Sequence, residues 1–357
     1  MSAGPRTVGR AGRVYLDWNA TAPLRPEARA AMLSAMDVVG NPSSVHGEGR
    51  AAAAIVAKAR AQVAEAFGAL ASDVIFTSGA TEAAALALAG RHLKGAEIEH
   101  EAVLAWTDPV LPVDRGGAVV VHDPARSTLQ AANSETGVVQ LLPEGLAVAD
   151  FTQAFGKLPV AFDWTGVDMG LISAHKLGGP KGVGALVVRR GVDVAARIRG
   201  GGQEMGRRSG TENLIGIAGF GAAAAAATRD LADGLWEGVS EVRKILERAL
   251  ASAANETIFV GKEVARLPNT TCVIAPGWKG ETQVMAMDLA GFAVSAGSAC
   301  SSGKVRESRV LKAMGHAPED AASAIRISIG PETRVEEVER FAEVWGRAYA
   351  RVRHRAA

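Results

Sequence analysis

A serine, a histidine and a lysine stand together in Ser173-Ala174-His175-Lys176, directly ahead of the glycine- and proline-rich turn Leu177-Gly178-Gly179-Pro180-Lys181-Gly182. The apolar run Met169-Gly170-Leu171-Ile172 before them reads as a short buried strand. A lysine at a strand end, out of bulk water, can lose its proton and attack a carbonyl carbon. Upstream, Asp150-Phe151-Thr152-Gln153 closes a second apolar run, Leu146-Ala147-Val148-Ala149. A Schiff-base lysine and an aspartate for a pyridinium nitrogen are the pair that pyridoxal phosphate (PLP) requires. A lone lysine after a strand is ordinarily a solvated loop residue. The company of Asp150, His175 and Ser173 weighs against that here.

Four further groups could serve the same chemistry. Ser78-Gly79-Ala80-Thr81 lies between a strand pattern and a helix pattern, where free N–H groups and the positive helix end suit a phosphate. Such turns are common and most bind nothing; this one gains weight because PLP carries a phosphate. His100 follows a short apolar stretch between two glutamates, an ordinary surface setting, but in a PLP site it would stack on the ring and move protons. Arg326 sits inside an apolar strand, where an internal salt bridge and an amino-acid carboxylate are equally good partners for its fork. Cys300 lies in Ser295-Ala296-Gly297-Ser298-Ala299-Cys300-Ser301-Ser302-Gly303-Lys304, too small and polar to bury itself, so an exposed loop with a reactive thiol is expected. The other cysteine, Cys272, falls in the strand pattern Thr270 to Ala275 and reads as packing. The dense run Gly200 to Thr211 forbids a regular element and is either a surface loop or backbone close to a ligand or subunit interface.

The 357 residues are 48% hydrophobic, enough for a large core or two domains. A net charge of +1 gives no electrostatic case for nucleic acid or an anionic membrane. No apolar run is expected to span a membrane, and two cysteines make no disulfide framework. The basic segment Met1 to Arg13 lacks an apolar signal core and reads as a short disordered arm, which leaves a cytoplasmic location as the expectation.

Helix and strand patterns alternate, which predicts an α/β architecture with a mainly parallel central sheet. Helices are expected from Pro26 to Val39, Arg50 to Phe67, after Ser78-Gly79-Ala80-Thr81-Glu82 to Ala89, and along Asn213 to Ala253 with a break near Asp233-Gly234. Strands are expected at 74–77, 119–121, 128–132, 146–150, 169–172 and 183–188. After about residue 250 the pattern resets to a smaller α+β unit ending in a helix over 335–353. The expected division is a large domain over 16–250 and a small one from 1–15 plus 251–357.

Taken in order, these motifs resemble the PLP-dependent cysteine desulfurases of the NifS/IscS type. The likeness runs from Tyr15-Leu16-Asp17-Trp18-Asn19-Ala20-Thr21 through Gly40-Asn41-Pro42-Ser43-Ser44-Val45-His46 and Glu135-Thr136-Gly137 to the final helix. It implies the PLP-dependent transferase fold of type I, a homodimer with composite active sites, and conversion of L-cysteine to L-alanine. Under the resemblance Lys176 bonds the cofactor, Asp150 pairs with its ring nitrogen, Gln153 with its ring hydroxyl, and His100 stacks on the ring. Ala80, Thr81, Ser173 and His175 hold the phosphate, joined by Thr211 of the other subunit. Ser134 faces the ring hydroxyl or the substrate, and Arg326 takes the substrate carboxylate. Cys300 accepts sulfur as a persulfide and hands it to an acceptor or iron–sulfur scaffold protein. No metal is implied.

The chain departs from the family in two places. Asn133-Ser134 stands where the family has two asparagines, and serine has a shorter reach. The 16 positions from Ser134 to Asp150 leave no room for the family's crossover helix, so Leu141-Leu142-Pro143-Glu144-Gly145 is expected to be irregular. Part of a sheet face would then need cover from an adjacent segment or a protein partner. Rival readings are a selenocysteine lyase or another PLP enzyme on this fold, and a non-catalytic partner of an iron–sulfur scaffold.

Overall fold

The computed structural model describes residues 12–297 and 307–356. The N-terminal arm and Cys300 lie outside the described residues. In chain order the strands are β1 (Val14–Tyr15), β2 (Ser72–Thr77), β3 (Lys94–Ala96), β4 (Asp108–Leu111), β5 (Thr128–Gln130), β6 (Val148–Asp150), β7 (Met169–Ser173), β8 (Gly184–Arg189), β9 (Ile258–Phe259), β10 (Thr270–Ile274), β11 (Phe292–Ala293), β12 (Ser295–Ala296) and β13 (Ala324–Ser328). The helices are α1 (Pro26–Met36), α2 (Gly47–Phe67), α3 (Ala80–Leu88), α4 (Glu101–Leu104), α5 (Leu214–Ala232), α6 (Leu235–Ala253), α7 (Gly280–Leu289), α8 (Arg309–Ala313), α9 (Pro318–Ala321) and α10 (Val335–Ala356).

Local chemistry accounts for the main boundaries. Helix α1 starts on Pro26, whose missing N–H costs nothing in a first turn. Helix α2 buries Ala52, Val56, Ala59, Val63 and Phe67, a helical stripe, and stops where Gly68 turns left-handed at φ 63°. The break expected in the long helical stretch falls at Gly234, φ 70°, between α5 and α6. The strand expected over 119–121 is absent: only a single bridge, Val113 to Val119, forms there. Val119 and Val121 pack against the core as irregular chain.

The central sheet runs β2-β8-β7-β6-β5, and the bridge between Lys94 and Ser127 brings the β3-β4 pair to its edge. Strand β8 is antiparallel to both neighbours; β5, β6 and β7 are parallel. Side chains alternate between the two faces. Ile75, Val148, Leu171, Leu186 and Val188 face α3, while Val74, Phe76, Ala149, Ile172 and Val187 face α2 and α5. Helix α5 has the length and mean hydropathy of a membrane span, 19 residues at 1.2, but its apolar run stops at Thr228-Arg229-Asp230. It packs between α1 and α2 and lies largely in the core.

The second sheet, β12-β13-β10-β9, is antiparallel, and its core gathers Trp236, Leu246, Leu250, Phe341, Trp345 and Tyr349. Helix α6 therefore packs with α10.

No helix forms between Val139 and Asp150, as the short spacing predicts. An aromatic cluster covers the sheet instead. Phe67 stacks on Phe162 at 5.3 Å and meets Phe151 and Phe155 edge-on at 5.1 and 5.0 Å. Gly170, in the middle of β7, makes the room: a Cβ there would lie 3.0 Å from Phe162, 3.2 Å from Phe67 and 3.3 Å from Phe151. Leu142 packs against this core, whereas Leu141 is 94% exposed.

Candidate active site

The carboxyl ends of β2, β5, β6 and β7 lie on one edge of the sheet, because β2 and β7 each run antiparallel to β8. The chain after β3 reaches the same edge. Ligands of open α/β sheets bind at such an edge. Ser78 to Thr81 follow β2, His100 follows β3, Ser134 follows β5, Asp150 ends β6, and Ser173 to Lys176 follow β7. Residues scattered over a hundred positions are thereby brought together.

The turn after β2 is built to receive an anion. Gly79 has φ 156°, which side chains rarely adopt, and no atom lies within 4 Å of where its Cβ would be. Among the described residues no side chain caps the end of α3. Glu82 accepts from Ser78 N at 2.7 Å and from Arg208 Nε at 2.8 Å. Burial raises its carboxyl, but these hydrogen bonds outweigh burial and hold it below its ordinary value. Ser173 is buried beside this turn: its partner in β8, Gly184, lies so close to Gly79 that a Cβ would come within 2.8 Å of it. His175 Nδ1 meets Thr21 Oγ1 at 3.2 Å. Burial, then Lys176, Lys181 and Lys157, push its imidazole down to about 4, so the ring is neutral near pH 7. Thr211 is exposed on the loop after Gly210.

Lys176 Nζ donates to Asn19 O at 2.7 Å and Ala20 O at 2.9 Å. Gln153 Nε2 donates to the same Asn19 carbonyl at 3.0 Å. Asp150 Oδ1 accepts from Thr152 N at 2.8 Å. His100 caps α4, its Nδ1 accepting from Ala102 N at 3.1 Å, so a neutral ring carries its proton on Nε2. Arg326 makes the internal pair: Nη2 reaches Asp17 Oδ1 at 2.6 Å and Nη1 the Ser134 carbonyl at 3.1 Å, while its buried Nε has no hydrogen-bond partner among the described residues. It is the Ser134 carbonyl that this network uses. Cys272 is fully buried in β10, and burial, then Glu135, push its thiol well above the ordinary value, so it is inert.

Sequence reasoning missed three polar residues here. Asn19 is the hub between Lys176 and Gln153. Lys157 is buried next to them. Glu99 is fully buried, accepts from Gln130 N at 2.8 Å, and is pushed up to about 8 by burial with Asp150 adding to it. A charged residue flanked by apolar ones, as in Phe155-Gly156-Lys157-Leu158 and Ile98-Glu99, was the available signal.

A strand-end lysine and a strand-end aspartate beside an open helix end, in a mainly parallel sheet with a small α+β domain attached, define the PLP-dependent transferase fold of type I. The family model Aminotransferase class-V matches residues 14–109 and 116–341. The chain is 41% identical to a cysteine desulfurase of Cereibacter sphaeroides over 93% of its length and 94% of that protein. It is 36% identical to the cysteine desulfurase IscS of Dictyoglomus turgidum, covering 95% of each chain. A solved NifS-like protein from Rickettsia africae superposes with a TM-score of 0.87 at 32% identity, over 95% of this chain and 99% of that one. The chain belongs to the class-V aminotransferase family, on its cysteine desulfurase branch.

Proposed function

We infer that the protein is a PLP-dependent cysteine desulfurase that converts L-cysteine to L-alanine. The carrying observation is the convergence of Lys176, Asp150 and Gln153 with the uncapped end of α3, in a chain of this family. The open space at Gly79 and the unused helix end fit a phosphate, and the strand-end lysine and carboxylate fit an aldehyde and a pyridine nitrogen. Ala80, Thr81, Ser173 and a neutral His175 would hold the phosphate, with Thr211 from the second subunit of a homodimer. Asp150 would hold the ring-nitrogen proton, Gln153 would donate to the ring hydroxyl, Ser134 would serve the ring hydroxyl or the substrate, and His100 would cover the ring. When bound, the cofactor supplies an electron sink for the bond broken at the substrate Cα.

The protein's own groups do the rest. Lys176 Nζ moves the proton of the substrate Cα. Arg326, released from Asp17, takes the substrate carboxylate in its planar fork. The Cys300 thiolate attacks the cysteine sulfur; the Cβ–S bond breaks with its electron pair going to the carbon skeleton, sulfur stays as Cys300–S–SH, and Cβ takes a proton so that the skeleton leaves as alanine. A cytoplasmic acceptor, an iron–sulfur scaffold among the candidates, then takes the persulfide sulfur. The family's pattern of Cys300 followed by Ser-Ser-Gly-Lys supports this reading. The test is alanine release from L-cysteine with added PLP. Wild type forms alanine and Lys176→Ala does not; alanine formation by Lys176→Ala at the wild-type rate would contradict the assignment. Wild-type rates on cysteine and selenocysteine separate the desulfurase from a selenocysteine lyase.

A further inference from the structure

The site contains a second lysine that the reaction as described does not use. Lys157 is 2% exposed and lies four residues after Gln153 in a stretch of turns. Its Nζ donates to Gln153 Oε1 at 2.7 Å and to Asn19 Oδ1 at 3.0 Å. Asn19 is itself fully committed. Its Oδ1 also accepts from Asn269 Nδ2 at 3.0 Å, and its Nδ2 donates to Thr270 Oγ1 at 2.8 Å and to the Ser134 carbonyl at 3.2 Å. The Asn19 backbone carbonyl is the shared acceptor of Gln153 Nε2 and Lys176 Nζ.

An amide can present either its oxygen or its NH2 to a given side, and only the partners decide which. An amine at Lys157 has protons for both of its acceptors whether charged or neutral. Its protons and the Asn19 carbonyl together fit one orientation of Gln153, with Oε1 inward and Nε2 outward toward Asn19 O. A flipped amide would set Oε1 against the Asn19 carbonyl, acceptor against acceptor, and end the donation from Lys157, a buried mismatch that leaves polar groups unpaired. We propose that Lys157 is a positioning residue: it locks the Gln153 amide donor-outward for the cofactor and, through Asn19, fixes the carbonyls that hold Lys176. Burial, then Lys176 and Arg326, hold its amine well below the ordinary lysine value, so its retention is not explained by solvation of a surface charge. If Lys157 served stability alone, an apolar chain of like length would do as well or better.

This inference rests on the PLP reading of Gln153 and Lys176. The test is a double-mutant cycle with Lys157→Met and Gln153→Ala. The readouts are PLP affinity by equilibrium dialysis, the pH at which the visible band of bound PLP titrates, and thermal stability of the apoprotein. Lys157→Met should weaken PLP binding by about tenfold and move the titration of the band, with a folded apoprotein. Gln153→Ala should do the same, and the double variant should add nothing further. Wild-type affinity and titration in a folded Lys157→Met, or additive effects in the double variant, would overturn the proposal. If Lys157→Met does not fold, Lys157→Leu, which likewise has no donor, enters the same cycle with the same criteria. A wild-type chain that gains no visible band with PLP overturns the cofactor reading itself, so the two failures are told apart.

Discussion

At the scale of residues, the site rests on buried polar groups whose partners are fixed before any ligand arrives. Glu99 and Lys157 are two of these, one carboxyl pushed up and one amine pushed down by burial. Glu99 gives a pH signature with a defined sign. Its folded value of about 8 lies above the ordinary value of 4.5, so between those limits the native state keeps a proton that the unfolded chain has lost. The stability it contributes is complete below about pH 4.5 and is lost as pH rises through 8. Denaturant melts of wild type and Glu99→Gln across pH 5 to 8 should diverge. Wild type weakens with rising pH relative to the variant; parallel profiles would show that Glu99 is not held protonated. For Lys176→Ala, incubation with PLP should give a folded protein with no lysine–cofactor band. A band that borohydride fixes to another lysine would move the assignment to that residue.

The elements show what the sequence could reveal and what it could not. Helix ends at Pro26, Gly68 and Gly234 were legible because one residue type carries each signal. The missing crossover helix was legible from spacing alone. Its replacement was not, since Phe67, Phe151, Phe155 and Phe162 come from three separate stretches and meet only in the fold. The strand at 119–121 failed because a β-branched run packs equally well as irregular chain against a core. Asn19 gave no signal and Lys157 only that of a charge among apolar residues, because their roles exist only as mutual hydrogen bonds between distant segments. Two predictions belong here. Leu142→Ser should cost about 1–2 kcal/mol in denaturant melts, while Leu141→Ser should change stability little. Equal losses would mean that Leu141 has a cover of its own. Gly170→Ala should cost about 1–3 kcal/mol, because three phenyl rings must move. A neutral result would show that the cluster yields freely.

The whole molecule joins a cofactor sheet to a small domain through β1, α6 and the Asn19 network, so residues of both parts meet at Lys176. A composite dimer site predicts complementation. Neither Lys176→Ala nor Thr211→Ala homodimers should match wild type in alanine formation. After subunit exchange, a mixed dimer assembles one site with both native residues, and activity should rise well above either parent. No gain despite demonstrated exchange would place Thr211 in its own subunit's site, or in none. The fold class and the order of motifs were legible along the whole chain, because glycine-rich turns and strand ends keep their chemistry whatever packs around them. Arg326 remained ambiguous in the sequence since a carboxylate of the protein and one of a substrate satisfy the same fork; here Asp17 holds it. The central claim is that sulfur leaves cysteine onto Cys300. Its most direct measurement is peptide mass spectrometry of the PLP-loaded protein after L-cysteine alone, without reductant, alongside quantified alanine. One extra sulfur atom on the Cys300 peptide, none on Cys272, and one alanine per added sulfur is the result expected. Alanine formed with Cys300 unmodified, or sulfur carried on Cys272, would contradict it.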